Sequence, residues 1–350
     1  MESVYWVLSW ACHRKCVHCY DDRFRPYVRD ELEGVVREGE LAFERIVRNL
    51  PDDFTYSHPF PDGRTERRSG RIILAGGEVL VDPVRTRVFY PTLDAIRTKF
   101  GDRVRVSVQT TGDLVTPEIL ADMKARGVWM VAISGMDDFH VGLEGEKRLP
   151  LQRELDAMFA GQGFTQVSLS TRRRDYTTEP GPFYLYFGAD RNSWIGELWP
   201  RGRAWTNGLS DATLATNFCA RQSGAKNFMN MGQLGSEVSI EPNGDVYPCC
   251  LKTREPLGNL TEERLEDILA SLRGHPAFEA LNRGDPGSMG TSFGWSLERM
   301  QAEAQTTTPK GEPYANLCIA CDRFHDAVLR PIIRDIRAKR RNAVECSAAN

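Results

Sequence analysis

The stretch that decides the fold is residues 4–20, VYWVLSWACHRKCVHCY. Its first five residues are apolar, aromatic and β-branched, and they predict a short buried strand. The strand leads directly into a loop that carries Cys12, Cys16 and Cys19. Thiolates are soft ligands, and iron–sulfur clusters are normally held by cysteines that lie close together on one loop. Three thiols would leave one iron of a cubane open to a substrate or a cofactor.

The C-x3-C-x2-C spacing, followed by an aromatic residue, resembles the cluster loop of the radical S-adenosylmethionine (SAM) family. The resemblance implies that Cys12, Cys16 and Cys19 hold a 4Fe–4S cluster whose open iron is chelated by the amino and carboxylate groups of SAM. A zinc site and three buried thiols are the alternatives. Zinc would need a fourth ligand, such as His13 or His18, and its usual spacings are C-x2-C or C-x4-C pairs.

Composition limits the class of protein. The 350 residues are 41% hydrophobic and 27% charged, which is typical of a soluble protein of one or two domains without a membrane span. A net charge of −3 argues against a general nucleic-acid binder, and the amino end lacks the features of a secretory signal. The nine cysteines fall into a triplet, a vicinal pair and a C-x2-C, with Cys346 left over. This grouping favours metal ligation in a reducing cytoplasm over disulfides.

A second strand is predicted over residues 71–75, after a segment (52–70) whose Pro, Asp, Gly and charge predict a loop. The strand ends in Gly76-Gly77-Glu78. Two glycines let the backbone approach a ligand closely, and an adjacent acid accepts hydrogen bonds from an ammonium group. In the radical SAM family a G-G-E segment after the second strand holds the SAM amino group, and the resemblance implies this role for Gly76, Gly77 and Glu78.

Strand and helix patterns then alternate over about 200 residues, which predicts a parallel sheet built from βαβ units. The predicted helices cover residues 31–49, 90–100, 117–126 and 149–159, and the later strands cover 103–109, 128–134, 165–171, 183–187 and 194–199. The alternating pattern fits six such units better than eight. The family resemblance implies an α/β fold with a partial (β/α)6 TIM-type barrel. The alternation alone also allows a doubly wound sheet.

Chemistry in such a barrel collects where the strands lead into their following loops. The resemblance implies SAM contacts there for Thr110, Ser134 and Arg173. The candidate catalytic residues of the same loops are Asp137, His140 and Glu197. The two acids offer partners for ammonium groups. The simpler interpretation is that the acids are solvated and that His140 is a surface-loop histidine.

The motif Pro-x-Gly-Arg-Ala at residues 200–204 recurs in radical SAM proteins that carry a C-terminal extension. It places the boundary between a core barrel (1–205) and a second domain (206–350). An Asn-Gly turn at 243–244 predicts a β-hairpin that ends in Cys249 and Cys250. The hairpin, these cysteines and Leu-Gly-Asn-Leu at 257–260 resemble the SPASM/twitch extension, in which cysteines bind an auxiliary 4Fe–4S cluster.

Five cysteines beyond the triplet, with Cys346 set aside, allow one auxiliary cluster, so twitch matches better than a two-cluster SPASM domain. The implied ligands are Cys219, Cys249, Cys318 and Cys321. The choice between Cys249 and Cys250 stays open, as does a structural zinc on the two cysteine pairs. Residues 273–313 align with no known pattern and are a candidate substrate cover, and a basic helix is predicted over 327–341.

The family resemblance implies that SAM, on a reduced cluster, yields a 5′-deoxyadenosyl radical, with a flavodoxin- or ferredoxin-type reductant as electron donor. A spare thiol at Cys250 would return a hydrogen atom to the substrate radical and produce an epimer. Loss of an electron to the auxiliary cluster would instead produce a ketone. The motif begins at Cys12 and leaves no room for a leader-binding domain. We therefore expect a small carbohydrate-like substrate, as in the aminoglycoside-modifying epimerases and dehydrogenases of antibiotic biosynthesis, with peptide maturation or a structural zinc protein as alternatives.

Overall fold

The structure is a computed structural model of the chain, and it describes residues 1–168, 175–188, 198–221 and 223–348. Arg173 and Glu197 lie outside the described residues, as does most of the predicted strand at 194–199. The side chain of Cys346 is likewise not described. Within the described ranges, every helix is too short or too polar to cross a bilayer.

Strands and helices alternate along the first half of the chain, as the sequence predicts. The strands are β1 Ser3–Val7, β2 Thr55–Pro59, β3 Thr65–Ser69, β4 Arg71–Ala75, β5 Arg105–Thr110, β6 Val128–Ile133, β7 Thr165–Gln166, β8 Phe183–Tyr186, β9 Glu237–Ile240, β10 Asp245–Tyr247, β11 Gly258–Asn259, β12 Gln305–Thr307 and β13 Pro313–Ala315. The α-helices are α1 Arg29–Asn49, α2 Tyr90–Phe100, α3 Pro117–Ala125, α4 Arg148–Gly161, α5 Gly202–Thr206, α6 Leu265–Ala270, α7 Pro276–Asn282, α8 Leu297–Glu303, α9 Leu317–Phe324 and α10 Arg330–Ala348. π-Helical turns at Arg85–Phe89 and His325–Leu329 precede α2 and α10.

Nine of the described strands form one sheet in the order β11-β10-β9-β1-β4-β5-β6-β8-β7. From β1 to β7 all neighbouring strands in this order pair in parallel, which gives six parallel strands. The helices α1 to α4 lie between consecutive strands up to β7, and β8 is placed between β6 and β7. This arrangement confirms the predicted α/β class and the six-strand partial barrel. On its other side β1 pairs in parallel with β9, and β9 pairs antiparallel with β10. The sheet thus continues from the N-terminal strands into the predicted C-terminal hairpin.

The first strand is an interior strand of this sheet, between β9 and β4, and all five of its residues are buried. Alternate side chains of a strand point to opposite faces. Val4 and Trp6 pack in the large core, which includes buried side chains of α1 such as Ile46. Tyr5 and Val7 pack on the opposite face, in a small cluster that also contains Cys250. β1 therefore separates the helix-covered core from the interior of the barrel.

The prediction of a loop over residues 52–70 is wrong. β2 and β3 form an antiparallel hairpin, closed by a turn in which Gly63 N–H donates to the Phe60 carbonyl at 3.0 Å. Most side chains of both strands are half-buried or exposed, with Tyr56 the buried exception. Without a buried face the strands show little apolar alternation, and the charged composition therefore suggested a loop.

The C-terminal segment 273–313 folds into α7, α8, two 3₁₀ turns and β12. Phe278, Leu281 and Met300 from this segment are buried in the large core, so it is a packed part of the structure. The predicted basic helix is present as the second π-helical turn followed by α10. Its arginines form ion pairs with Glu255 and Glu263, which lie on the segment that follows the hairpin.

Candidate functional site

The three cysteines of the N-terminal loop line one cavity at the carboxyl ends of the parallel strands. The cavity, which we call the central cavity, has a volume of about 930 Å³ including its open mouth. Among its lining residues are Cys12, Cys16, Cys19, Gly76, Gly77, Thr111, Ser134, Asp137, His140 and Cys250. The structure thus brings the cysteine triplet together with six of the residues predicted for SAM binding or catalysis. Thr111, and not the predicted Thr110, is the threonine that lines the cavity.

Two neighbouring glycines bring the end of β4 against the cysteine loop. Gly76 has a φ of 152°, and a Cβ at this position would lie 2.7 Å from the Ser9 carbonyl oxygen. A Cβ on Gly77 would collide with the Ala11 carbonyl and lie 2.9 Å from the Cys12 Cβ. The close approach allows Gly77 N–H to donate a hydrogen bond to the Ser9 carbonyl at 3.0 Å. The glycine pair is therefore required for the cysteine loop to pack on the sheet.

Glu78 lies behind the cavity wall and is 2% exposed. Its carboxylate accepts hydrogen bonds from Thr110 Oγ1 at 2.8 Å, from Thr111 N–H at 2.7 Å, from Thr111 Oγ1 at 2.8 Å and from Leu80 N–H at 3.0 Å. The described role of Glu78 is thus to hold the two threonines at the end of β5. A contact between Glu78 and the SAM amino group stays a prediction.

The cysteine loop is tied to the end of β5 through Asp113. His13 Nε2 lies 2.7 Å from Asp113 Oδ2, and Arg14 Nη2 donates to the same oxygen at 2.6 Å. Burial raises the pKa of Asp113, but the hydrogen bonds from His13, Thr111 and Arg14 outweigh burial and hold this pKa well below its usual range. The carboxylate therefore stays ionised. His13 is engaged by Asp113 and is not among the residues that line the central cavity, which argues against it as a zinc ligand.

A buried arginine holds the other side of the loop. Arg203 is 8% exposed and donates to the carbonyls of Cys16 at 2.8 Å, Phe24 at 2.6 Å and Asp22 at 3.3 Å. The preceding Gly202 has a φ of 54°, and a Cβ there would lie 2.6 Å from the Asp21 nitrogen. Sequence reasoning used the motif at 200–204 only as a domain boundary. Its Gly-Arg pair was the available signal for this contact with the cysteine loop.

Two histidines and an aspartate meet at one side of the central cavity. His140 Nδ1 lies 2.8 Å from Asp137 Oδ1, which also accepts from the backbone N–H groups of Phe139 and His140. Asp137 is 3% and His140 6% exposed, so the interpretation of His140 as a surface-loop residue is wrong. The His18 ring lies 4.6 Å from the His140 ring, and burial, followed by the nearby His140, lowers the pKa of His18 to about 4. His18 is therefore neutral at pH 7.

Cys250 lines the central cavity from an apolar corner. It is 2% exposed and packs with Tyr5, Val7 and Trp10. Its backbone N–H donates to the Ser223 carbonyl at 3.2 Å, which fixes its place in the wall. Burial raises the pKa of the Cys250 thiol well above its usual range. The sulfur therefore keeps its proton.

The remaining described cysteines line a second cavity of about 550 Å³, which we call the auxiliary cavity. Its cysteines are Cys219, Cys249, Cys318 and Cys321. Asn316 caps the helix that carries the last two, because its side-chain oxygen accepts from Cys318 N–H at 2.9 Å. Trp199 and Ser223 line both cavities and so separate them. The structure thus brings the four implied auxiliary ligands together and leaves Cys250 in the central cavity.

The donors at both sites suit iron–sulfur clusters, because thiolates are soft ligands and such clusters are normally held by cysteines. Burial raises the pKa of Cys12, Cys19 and Cys318 to about 12. Metal binding would therefore displace protons from these thiols.

Comparisons with known proteins agree with this assignment. The SPASM family model, described as an iron-sulfur cluster-binding domain, matches residues 232–286. The AdoMet-dependent heme synthase of Methanosarcina barkeri (strain Fusaro / DSM 804) is 26% identical over 129 residues, which are 37% of this chain and 29% of the relative. The match therefore spans less than a third of that relative's length.

Several solved structures align at low identity. BtrN in complex with AdoMet and 2-DOIA is 13% identical with a TM-score of 0.41, over 82% of this chain and 89% of that chain. Native anSMEcpe with bound AdoMet is 12% identical with a TM-score of 0.42, over 95% and 99% of the two chains. Streptococcus suis SuiB bound to S-adenosylmethionine is 12% identical with a TM-score of 0.41, over 85% and 75%.

Residues 232–286 therefore form a SPASM-type iron–sulfur cluster-binding domain. More particularly, this domain follows a parallel sheet whose first strand leads into the three-cysteine loop.

Proposed function

We propose that this protein is a radical SAM enzyme that inverts one carbon centre of a small, carbohydrate-like alcohol. SAM and its cluster supply the oxidant when bound, in the form of a 5′-deoxyadenosyl radical that removes a hydrogen atom from carbon. The Cys250 thiol then returns a hydrogen atom to the opposite face of that carbon. The resulting sulfur radical takes up one electron and one proton from the external reductant and solvent, which restores the thiol.

The single observation that carries this proposal is the opposite placement of two consecutive cysteines. Cys249 lines the auxiliary cavity with three other cysteines, and Cys250 lines the central cavity with the N-terminal triplet. Cys249 is thus the better placed of the two for cluster ligation. Cys250 is then a spare thiol that faces the space where the substrate radical would form.

The surroundings of Cys250 suit a hydrogen-atom donor. Only a protonated sulfur has a hydrogen atom to give, and burial keeps this thiol protonated. On the side of the wall, the residue packs in an apolar cluster with Tyr5, Val7 and Trp10.

The lining of the central cavity supports a small polar substrate. Small-molecule sites combine apolar walls with a few polar groups that fix the orientation of the ligand. Here the polar lining includes the amide of Gln109 and the hydroxyls of Thr111 and Ser134, which suit a substrate with several hydroxyl groups. Asp137 adds one carboxylate, which would favour a substrate that also carries an amino group.

Alcohol dehydrogenation is the second candidate, and one observation favours it. The two cavities share Trp199 and Ser223 as a common wall. An electron from an α-hydroxy radical would need to cross only this wall to reach the auxiliary site, while the hydroxyl proton would go to a base. The product would then be a ketone, 2 Da lighter than the substrate.

The test is turnover in deuterated water by anaerobically reconstituted protein, with 2-deoxystreptamine and neomycin-type aminoglycosides as probes and a peptide library as comparison. The proposal expects an aminoglycoside product that carries one deuterium on the inverted carbon. Cys250→Ala should still form 5′-deoxyadenosine but no epimer, whereas the control Cys346→Ala should behave as wild type. A product 2 Da lighter, a modified peptide, or unchanged epimer from Cys250→Ala would contradict it.

A further inference from the structure

Two arginines on one short segment face the two cysteine sites separately. Arg203 donates its three hydrogen bonds to backbone carbonyls of the N-terminal cysteine loop, at 2.6 to 3.3 Å. Arg201, two residues earlier, lines the auxiliary cavity and pairs through Nη1 with Asp322 at 2.9 Å. Asp322 directly follows Cys321 on α9. Gly202 lies between the two arginines and packs against the loop residues Tyr20 and Asp21.

Each arginine is placed at one of the two cysteine sites. Arg203 donates to carbonyls of the N-terminal loop, and Arg201 lines the auxiliary cavity. A thiolate bound to iron is negatively charged, and a buried negative charge needs a nearby cation or hydrogen-bond donor. The guanidinium at the N-terminal site is buried, and the one at the auxiliary site is half-buried.

We propose that Arg201 and Arg203 are paired positioning residues, of which Arg203 sets the reduction potential of the N-terminal cluster and Arg201 that of the auxiliary cluster. A cation beside an iron–sulfur cluster stabilises the reduced form, which carries one more negative charge, and hydrogen bonds around the sulfurs act in the same direction. Removing either guanidinium should therefore make its own cluster harder to reduce. The inference rests on the proposed function only in that both sites must hold clusters.

The surroundings also predict which arginine has the larger effect. The described hydrogen bonds of Arg203 are to neutral carbonyls, so its charge is not neutralised by a carboxylate there. Arg201 is paired with the Asp322 carboxylate, which cancels part of its charge. The auxiliary cavity is also lined by Lys252, whose ammonium group lies 3.3 Å from Glu241. Loss of Arg203 should therefore shift its cluster further than loss of Arg201 shifts the other.

The experiment is a redox titration of anaerobically reconstituted protein, followed by electron paramagnetic resonance. Each cluster is first assigned in full-length chains in which Cys12, Cys16 and Cys19, or Cys219, Cys318 and Cys321, are replaced by alanine. Arg203→Gln should make the reduction potential of the N-terminal cluster more negative and leave that of the auxiliary cluster unchanged. Arg201→Gln should make the reduction potential of the auxiliary cluster more negative and leave that of the N-terminal cluster unchanged. Arg201→Lys should stay close to wild type, because a point charge still pairs with Asp322. Arg203→Lys should lower iron retention at the triplet, because an ammonium group does not reproduce the planar fork that reaches several carbonyls.

Potentials that shift at both sites in either glutamine variant, or at neither site, would overturn the inference. If Arg203→Gln binds no N-terminal iron, Arg201→Gln carries the test: an auxiliary potential that becomes more negative while the N-terminal potential is unchanged supports the inference, and any other result would overturn it. Failure of the wild type to take up iron and sulfide is a different result, since it contradicts the proposed function itself. The arginine measurements need no substrate, so the two failures are distinguishable.

Discussion

Glu78 accepts two hydrogen bonds from Thr111, one from its backbone N–H at 2.7 Å and one from its hydroxyl at 2.8 Å. Thr110 donates a third and Leu80 a fourth, so both carboxylate oxygens are engaged by donors of the chain itself. The ends of β4 and β5 are thereby joined directly behind the cavity wall.

Glu78→Gln should therefore destabilise the protein. An amide has only one acceptor oxygen, and its NH2 group would face donors, which leaves buried groups unpaired at a cost of about 1–3 kcal/mol. The measurement is the free energy of unfolding in urea, with Glu146→Gln, an exposed residue of a 3₁₀ turn, as the control. Unchanged stability combined with weaker SAM binding would contradict this structural role and place Glu78 against the SAM amino group.

Gly202→Ala should displace the cysteine loop. A Cβ at this position would collide with the Tyr20 carbonyl carbon and lie 2.6 Å from the Asp21 nitrogen, and the φ of 54° is unfavourable for alanine. We expect less iron retained at the triplet after anaerobic desalting, together with a lower unfolding free energy.

The matched control for that substitution is Gly34→Ala. Gly34 lies in α1, and no atom lies within 4 Å of the position that an alanine methyl group would take. Alanine there should therefore stabilise the helix by about 0.5–1 kcal/mol. Equal iron retention in the two alanine variants would mean that the cysteine loop tolerates the displacement.

The parts of this protein that were predictable from sequence are those in which local pattern and packing agree. Residues 4–8 are apolar on both faces because both faces of β1 are buried, and Thr116-Pro117 marks the start of α3 because the Thr116 hydroxyl accepts from Ile119 N–H. The β2–β3 hairpin was missed because its strands are largely exposed and lack an apolar period.

The candidate functional site also combines features that local sequence predicts with features that depend on long-range packing. The spacing of Cys12, Cys16 and Cys19 predicted that these thiols lie together, because a short loop restricts their separation, whereas the auxiliary set was implied by the family resemblance. The contact of Arg203 with the Cys16 carbonyl spans 187 positions of sequence, and the Gly-Arg pair at 202–203 does not by itself indicate this partner. The opposite directions of Cys249 and Cys250 depend on how the end of the hairpin packs, and neighbouring sequence leaves that open.

Arg340 should prove essential for docking the C-terminal helix. It forms two hydrogen bonds with Glu263, at 2.7 and 2.9 Å, and both side chains are 9% exposed. Arg340→Met leaves the Glu263 carboxylate buried and unpaired, at an expected cost of about 3 kcal/mol in unfolding free energy.

Two further variants define that effect. Arg340→Met combined with Glu263→Gln should recover part of the lost stability, because no unpaired charge then remains. Lys339→Ala removes an exposed pair with Asp335 on the same helix and should leave stability unchanged. If Glu263→Gln lowered the unfolding free energy of Arg340→Met as much as it lowers that of wild type, the two residues would not be coupled.

His325 should make the protein sensitive to mild acid. It is 1% exposed, and neither ring nitrogen has a hydrogen-bond partner among the described residues. Burial lowers its pKa from 6.5 to about 4, with opposing contributions from Asp322, which raises it, and Arg201, which lowers it. Below about pH 6.5 the unfolded chain binds a proton here that the folded chain does not bind. Stability from this residue is thus complete at neutral pH and lost as the pH falls toward 4.

Between pH 7 and pH 5 the loss from this one site should be about 2 kcal/mol. His325→Leu removes the group that titrates, so its unfolding free energy should fall less than that of wild type over this interval, in urea titrations at both pH values and in the same metal state. His58→Gln is the control, because His58 lies on the β2–β3 hairpin and is only half-buried. It should retain most of the wild-type loss. Equal losses in wild type and His325→Leu would mean that the histidine finds a proton acceptor in the folded protein, since protonation would then carry no penalty.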